Sequence, residues 1–99
     1  MAQVAWTAEA QLWLRNIYDY IAADNPAAAE RVALAIYDSV RVLQEHPRLG
    51  QRYHYLTSRE VRILHYSHYR IAYLIHAGTG DIDILGVFHG ALPMERYLL

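Results

Sequence analysis

The 99-residue chain contains no cysteine and no lysine, only three prolines and one phenylalanine. Without cysteine there is no disulfide framework, no thiol nucleophile and no cysteine-type zinc site. The absence suits a reducing compartment. Without lysine, all nine basic residues are arginine. No apolar run is long enough to span a bilayer. The opening stretch MAQVAWTAEAQ lacks the basic-then-apolar layout of a secretory signal. The expected location is therefore the cytoplasm, and the length suits one domain over residues 1–99.

Charge of either sign is also scarce in net terms. The formal net charge is −1 and the pI is ≈ 6.6. Residues 1–47 hold three arginines against six carboxylates, and residues 48–99 hold six against four. So weak a basic bias is not the footprint of a protein that grips nucleic acid mainly through phosphates. What the chain has instead is apolar residues, 55% of the total. That is ample for one core, although a domain this small gains stability from a partner.

Patterning places the elements. Gln3 to Trp6 reads as a short strand. Thr7 is a good helix N-cap, and Glu9 in the first turn suits the positive end of the helix dipole. Ala10, Leu14, Ile17 and Ile21 follow at helical spacing. Asn25 caps a second helix with Pro26 at its first position. Its stripe is Ala29, Val32, Ala33, Ile36, Val40 and Leu43, and Pro47 and Gly50 end it. The short connection predicts an antiparallel helical hairpin.

From Gln51 the period changes to that of strands. Residues 61–66, 69–76 and 81–88 are rich in β-branched and aromatic types. AGTGD (77–81) predicts a hairpin turn, and YSHY (66–69) a looser junction. The expected fold class is α+β, in the order β-α-α-β-β-β. The helices lie on one face of an antiparallel three-stranded meander, with the N-terminal strand added at an edge.

Alternation in the strands leaves both sheet faces apolar. Tyr69, Ile71, Tyr73 and Ile75 should share one face, with Ala72 and Leu74 opposite. In the last strand Ile82, Ile84 and Phe88 should oppose Leu85 and Val87. Two helices cover one face. The other face is expected to meet a partner, or else to be covered by residues 47–60 and the C-terminal tail.

Candidate chemistry is thin. His65 and His68 are three apart, which on a strand or turn separates their side chains. No HExxH pattern exists, so no metal is expected. No glycine-rich loop follows a strand and opens a helix, so no nucleotide cofactor is expected. A metal-free ribonuclease needs a base, an acid and a cation for the phosphate. Glu60, His65 or His68 could be the base, and His89 or Tyr97 the acid. Arg59, Arg62, Arg70 or Arg96 could supply the charge. Many small histidine-rich domains contain such an inventory. The tail VFHGALPMERYLL (87–99) thus has two readings, a site with His89 as acid or a docking segment without chemistry.

An ordered set of short motifs bears on the choice. Val4, Trp6, Thr7, Ala10, Leu14, Ile17, Tyr20 and Ile21 fit a strand-helix pattern. Asn25-Pro26 with Ala28-Ala29, then Leu43, His46-Pro47 and Leu49-Gly50-Gln51, follow. Arg59-Glu60, Arg62, YRIAY (69–73) and ILGVFHG (84–90) close the set. Over nearly its whole length the chain resembles the ParE branch of the ParE/RelE toxins of bacterial type II toxin–antitoxin systems. RelE-like members are held to cleave mRNA in the ribosomal A site, and ParE-like members to poison DNA gyrase without cutting. Aligned through YRIAY, His65 and Gly90 fall where RelE-like toxins carry catalytic arginines, and the strand lysines of that branch are missing. The tail resembles a ParE ending at His89, Arg96 and Leu98, and departs from it at Leu92, Pro93 and Tyr97.

The resemblance implies a gyrase-inhibiting toxin with no catalytic residues of its own. His89, Arg96 and Tyr97 would contact the target. It also implies a cognate antitoxin whose C-terminal segment wraps the toxin, for which Tyr69, Tyr73 and Ile75 are candidate contacts. Operator DNA would be met only through the antitoxin. The alternatives are an mRNA endoribonuclease using Arg62, His65 and Tyr97, and an inactive remnant that only binds antitoxin.

Overall fold

The computed structural model describes residues 2–53 and 58–98. Strand β1 (Val4–Trp6) leads into helix α1 (Ala8–Ala22), followed by α2 (Pro26–Arg41). Both helix starts are capped as their sequences predict. The Thr7 hydroxyl accepts from Ala10 N (3.1 Å) and donates to Ile84 O (2.7 Å), which ties the helix start to the sheet. The Asn25 side chain accepts from Ala28 N (3.1 Å). Past Arg41 the chain tightens into one 3₁₀ turn, Val42–Gln44, which keeps Leu43 buried.

The strands β2 (Gln51–Arg52), β3 (Glu60–Tyr66), β4 (Tyr69–Ile75) and β5 (Ile82–His89) follow, and a last turn of helix, α3 (Glu95–Leu98), closes the described chain. The sheet order is β1-β5-β4-β3-β2. The N-terminal strand does lie at an edge, and it runs parallel to β5, which makes the sheet mixed. Strand β2 is an addition to the expected architecture. Two residues are too short to show a period, but Gln51 and Arg52 pair antiparallel with Ile63 and Arg62.

The hairpin of residues 77–81 forms as expected. Gly78 and Gly80 take φ values of 90° and 77°, which L side chains rarely adopt. The junction at 66–69 is tighter than its composition suggests. Tyr66 pairs with Tyr69 across a two-residue turn, and Ser67 takes the left-handed conformation (φ 52°).

The register holds one surprise. Ala72 pairs with Gly86 and Tyr73 with Ile84, so Leu85 is an unmatched extra residue, a β-bulge. A bulge resets alternation. The expected grouping of Phe88 with Ile82 and Ile84 is therefore overturned. Val87 joins those two in the core beneath the helices, with Ala10, Leu14, Ile36 and Val40. Phe88 turns to the opposite face, with Val61, Ile63, Ala72 and Leu74. Gly86 makes room for it, since a Cβ there would lie 2.5 Å from Phe88 Cζ.

The second face is covered by the chain itself. Tyr53 and Met94 are buried against it, and Leu92 and Leu98 pack around them. The tail thus fills the role expected of a partner on that face, at least among the described residues. Among the described residues, ten apolar side chains of at least valine size are fully enclosed across the two clusters, and their removal from water supplies the main drive to fold.

Candidate functional site

Tyr73 and Ile75, read from the sequence as contacts for an antitoxin, lie in the core under the helices, with Tyr73 fully buried. This corrects the expectation, because the face that carries them is the one the helical hairpin covers. The Tyr73 hydroxyl donates to Pro47 O (2.7 Å) and accepts from Gly50 N (2.9 Å). Burial raises its pKa, against the opposing effect of the Gly50 bond. It pins the segment that carries β2. Tyr69 differs from these two. It is half-buried at the rim, and its ring meets the edge of His89 at 5.9 Å.

Arg62, His65 and Tyr97 do not assemble. Arg62 shares the helix-side face with Leu64 and Tyr66, and His65 lies on the opposite face, paired across β4 with Arg70. Arg62 is also occupied. Its Nε donates to Glu60 Oε2 (2.8 Å) and its Nη1 to Gly50 O (2.8 Å). Arg48 grips both oxygens of the same carboxylate, at 3.0 and 3.1 Å. The Arg62 hydrogen bond, helped by Arg48, holds the Glu60 pKa below the usual carboxylate value even though burial pushes it upward. A base held ionised between two guanidiniums is a clamp on the 48–52 segment and a poor proton acceptor.

Tyr97 belongs to an aromatic cluster. Its ring meets Trp13 edge-on at 4.9 Å and stacks on Phe88 at 5.8 Å, and Trp13 meets Phe88 edge-on at 4.8 Å. Trp13 thereby links α1 to the tail. It stands beside Leu14 and Ile17, at the margin of the helical stripe. Arg70 completes the attachment by donating to Leu92 O (2.7 Å). Arg96 is exposed on α3, and His89 is exposed at the end of β5.

Two concavities meet at His89. One is an apolar groove of about 470 Å³ between α1 and the sheet end, walled by Trp13, Ile17, Tyr20, Tyr69 and Leu92. Tyr20 on its lip is 85% exposed, a large aromatic surface left to water on a small domain. The other is a polar pocket of about 440 Å³ at the β3–β4 turn, lined by His65, His68, Arg70 and His89. No cluster of three metal-binding side chains occurs among the described residues, and none of their helices is long and apolar enough to cross a membrane.

The comparisons with known proteins agree with this architecture. Residues 4–92 match the family described as ParE toxin of type II toxin-antitoxin system, parDE. The chain is 36% identical over 91 residues to Toxin RelE2 of Caulobacter vibrioides, covering 92% of this chain and 98% of that protein. Its fold is similar to a chain of the chromosomal ParDE system from P. aeruginosa, with a TM-score of 0.71 at 24% identity over 90% of this chain and 96% of that one. It is also similar to a chain of the RelBE2 toxin-antitoxin complex from Mycobacterium tuberculosis, with a TM-score of 0.64 at 24% identity over 89% and 96%. The chain belongs to the ParE toxin family of type II toxin–antitoxin systems.

Proposed function

We propose that the protein is a toxin that inhibits DNA gyrase by binding it, and that a cognate antitoxin neutralises it in the cytoplasm. The observation that carries the reading is the separation of Arg62, His65 and Tyr97. One is committed to Glu60 and Gly50, one lies on the other sheet face, and one is packed on Trp13 and Phe88. Base, acid and phosphate-binding cation must converge within hydrogen-bond reach of one substrate. The net charge of −1 supports the same reading, since a toxin working on the ribosome must approach a polyanion.

The antitoxin is a short protein whose C-terminal segment folds on contact. Its place is the groove walled by Trp13, Ile17, Tyr20, Tyr69 and Leu92, where an amphipathic helix would lay its apolar face. His89, Arg96 and Tyr97 remain the candidate contacts with the target, and operator DNA is reached through the antitoxin. Both structural relatives come from toxin–antitoxin systems. Capture of the antitoxin by Ile17→Asp and Tyr20→Ala variants should weaken by about tenfold or more each. Unchanged capture by both would move the interface elsewhere.

The identity with a protein named RelE2 favours one second reading, an mRNA endoribonuclease. Mapping of transcript ends during toxin-induced growth arrest separates the two. Intact transcripts are expected. Ribosome-dependent cuts lost in Arg62→Ala, His65→Ala or Tyr97→Phe would establish the nuclease instead, and expression without growth loss would indicate an inactive remnant.

A further inference from the structure

One edge of the sheet concentrates charge of one sign. Residues 48–62 hold four arginines and a single carboxylate, Glu60. That is a local charge of +3 on a chain whose formal net charge is −1, so the rest of the molecule carries −4. The fold gathers this segment instead of spreading it. Strand β2 is the outermost strand, and Arg52 stands opposite Arg62 in its pairing with β3. Arg52 Nη2 donates to the carbonyl of Arg59 (3.4 Å). Arg48 and Arg62 share the one carboxylate, at 3.0 and 2.8 Å.

Glu60 offsets one charge only. Arg52 and Arg59 are exposed and have no carboxylate partner among the described residues. Guarding an edge strand against other chains takes charge of either sign and does not ask for so uneven a mixture. Like charges held this close repel one another unless an anion joins them. Glu60 shows which anion the edge accepts. Arg48 takes both of its oxygens, in the fork arrangement that guanidinium forms with carboxylates. Next to Arg48, Leu49 is 56% exposed, an aliphatic side chain left to water beside the charges. Among the described residues no large exposed aromatic side chain lies at this edge, so nucleic-acid bases find no stacking platform there. The −4 elsewhere on the chain opposes a long polyanion, whereas a short acidic segment feels mainly the charges within about 8–10 Å.

We propose that Arg48, Arg52 and Arg59, together with Leu49, form a docking edge for an acidic segment of a partner protein, one in which carboxylates flank an aliphatic residue. Arg52 and Arg59 receive carboxylates as Arg48 receives Glu60. Arg48 keeps 65% of its side chain exposed while bound to Glu60 and adds to the attraction. Leu49 meets the aliphatic residue. The edge is separate from the apolar groove, which is built from α1, β4, β5 and the tail. It does not depend on gyrase being the target.

Arginine side-chain NMR of the full chain, titrated with the synthetic peptide Glu-Glu-Leu-Glu-Glu, tests the edge. At low salt the Nε–H resonances of Arg48, Arg52 and Arg59 should shift saturably, with a Kd on the order of millimolar. Arg15 and Arg41, already paired with Asp19 and Asp38 on the helices, serve as internal controls and should not follow. Raising the salt to about 0.5 M should weaken binding about tenfold. The Arg52→Gln/Arg59→Gln double variant changes only exposed side chains without ion pairs. Its thermal melt should match the parent, and its affinity for the peptide should drop about tenfold. Leu49→Ala, at another exposed position, should weaken binding about threefold. Equal binding of Gln-Gln-Leu-Gln-Gln, unsaturable shifts of all arginines alike, or unchanged affinity in the folded double variant would overturn the edge. Tighter binding of a short oligothymidine at the same arginines would overturn it in favour of a nucleic-acid strand. Self-association of the chain in sedimentation, lost in the double variant, would overturn it in favour of a second copy.

Discussion

Single polar residues fix the loop between helix and sheet. Tyr73 shows this best, because its hydroxyl is the partner of a buried backbone amide, Gly50 N, and of Pro47 O. Tyr73→Phe keeps the ring but strands that amide, and should cost about 1–3 kcal/mol in urea denaturation. A loss well below this range would mean that water replaces the hydroxyl. Glu60 gives a pH signature. Its folded pKa is lowered, chiefly by the Arg62 bond. Its contribution is therefore present above the unfolded value of about 4.3 and is lost as pH falls through the folded value. Between about pH 5 and pH 3 the parent should lose more stability than Glu60→Gln. Parallel urea midpoints across that window would remove the clamp from the account. Neither role was legible in the sequence, where Arg59, Glu60 and Arg62 look like a surface charge pattern. Only the return of residues 48–52 onto β3 makes Glu60 a hub.

Among the elements, β1, both helices and the three long strands were readable because their period and caps agree. Thr7 and Asn25 cap as written, and Gly78 and Gly80 turn as written. The β-bulge was not readable. Leu85 continues an unbroken apolar run, and nothing in residue type marks the one that pairs with nobody. That one extra residue sends Phe88 to the far face and builds the tail's landing site. Gly86 is the trace it leaves, a glycine in a strand because the Phe88 ring lies across it. Gly86→Ala should therefore destabilise by about 1–3 kcal/mol through displacement of the ring, and should shift the fluorescence of neighbouring Trp13. Met94, only 3% exposed, holds the tail on the same face. Met94→Ala should cost about 2–4 kcal/mol by equilibrium unfolding. A cost near zero would mean that the tail contributes no packing to the sheet.

For the molecule as a whole, the candidate site was half legible. His89, Tyr69 and the tail were singled out from the sequence, and the structure puts all three around one end of the sheet. Tyr73 and Ile75 were misassigned because alternation shows which residues share a face but not which face the helices take. Trp13 was missed because it sits at the margin of its helical stripe. Family membership rests on residues 4–92, and the central proposal concerns the target. Supercoiling and DNA-cleavage assays with purified gyrase and the purified chain address it most directly. Inhibited supercoiling with a stabilised cleavage complex is expected, retained in His65→Ala and abolished by excess antitoxin. Gyrase left untouched while the same preparation cuts ribosome-bound mRNA would contradict a toxin that acts by binding gyrase.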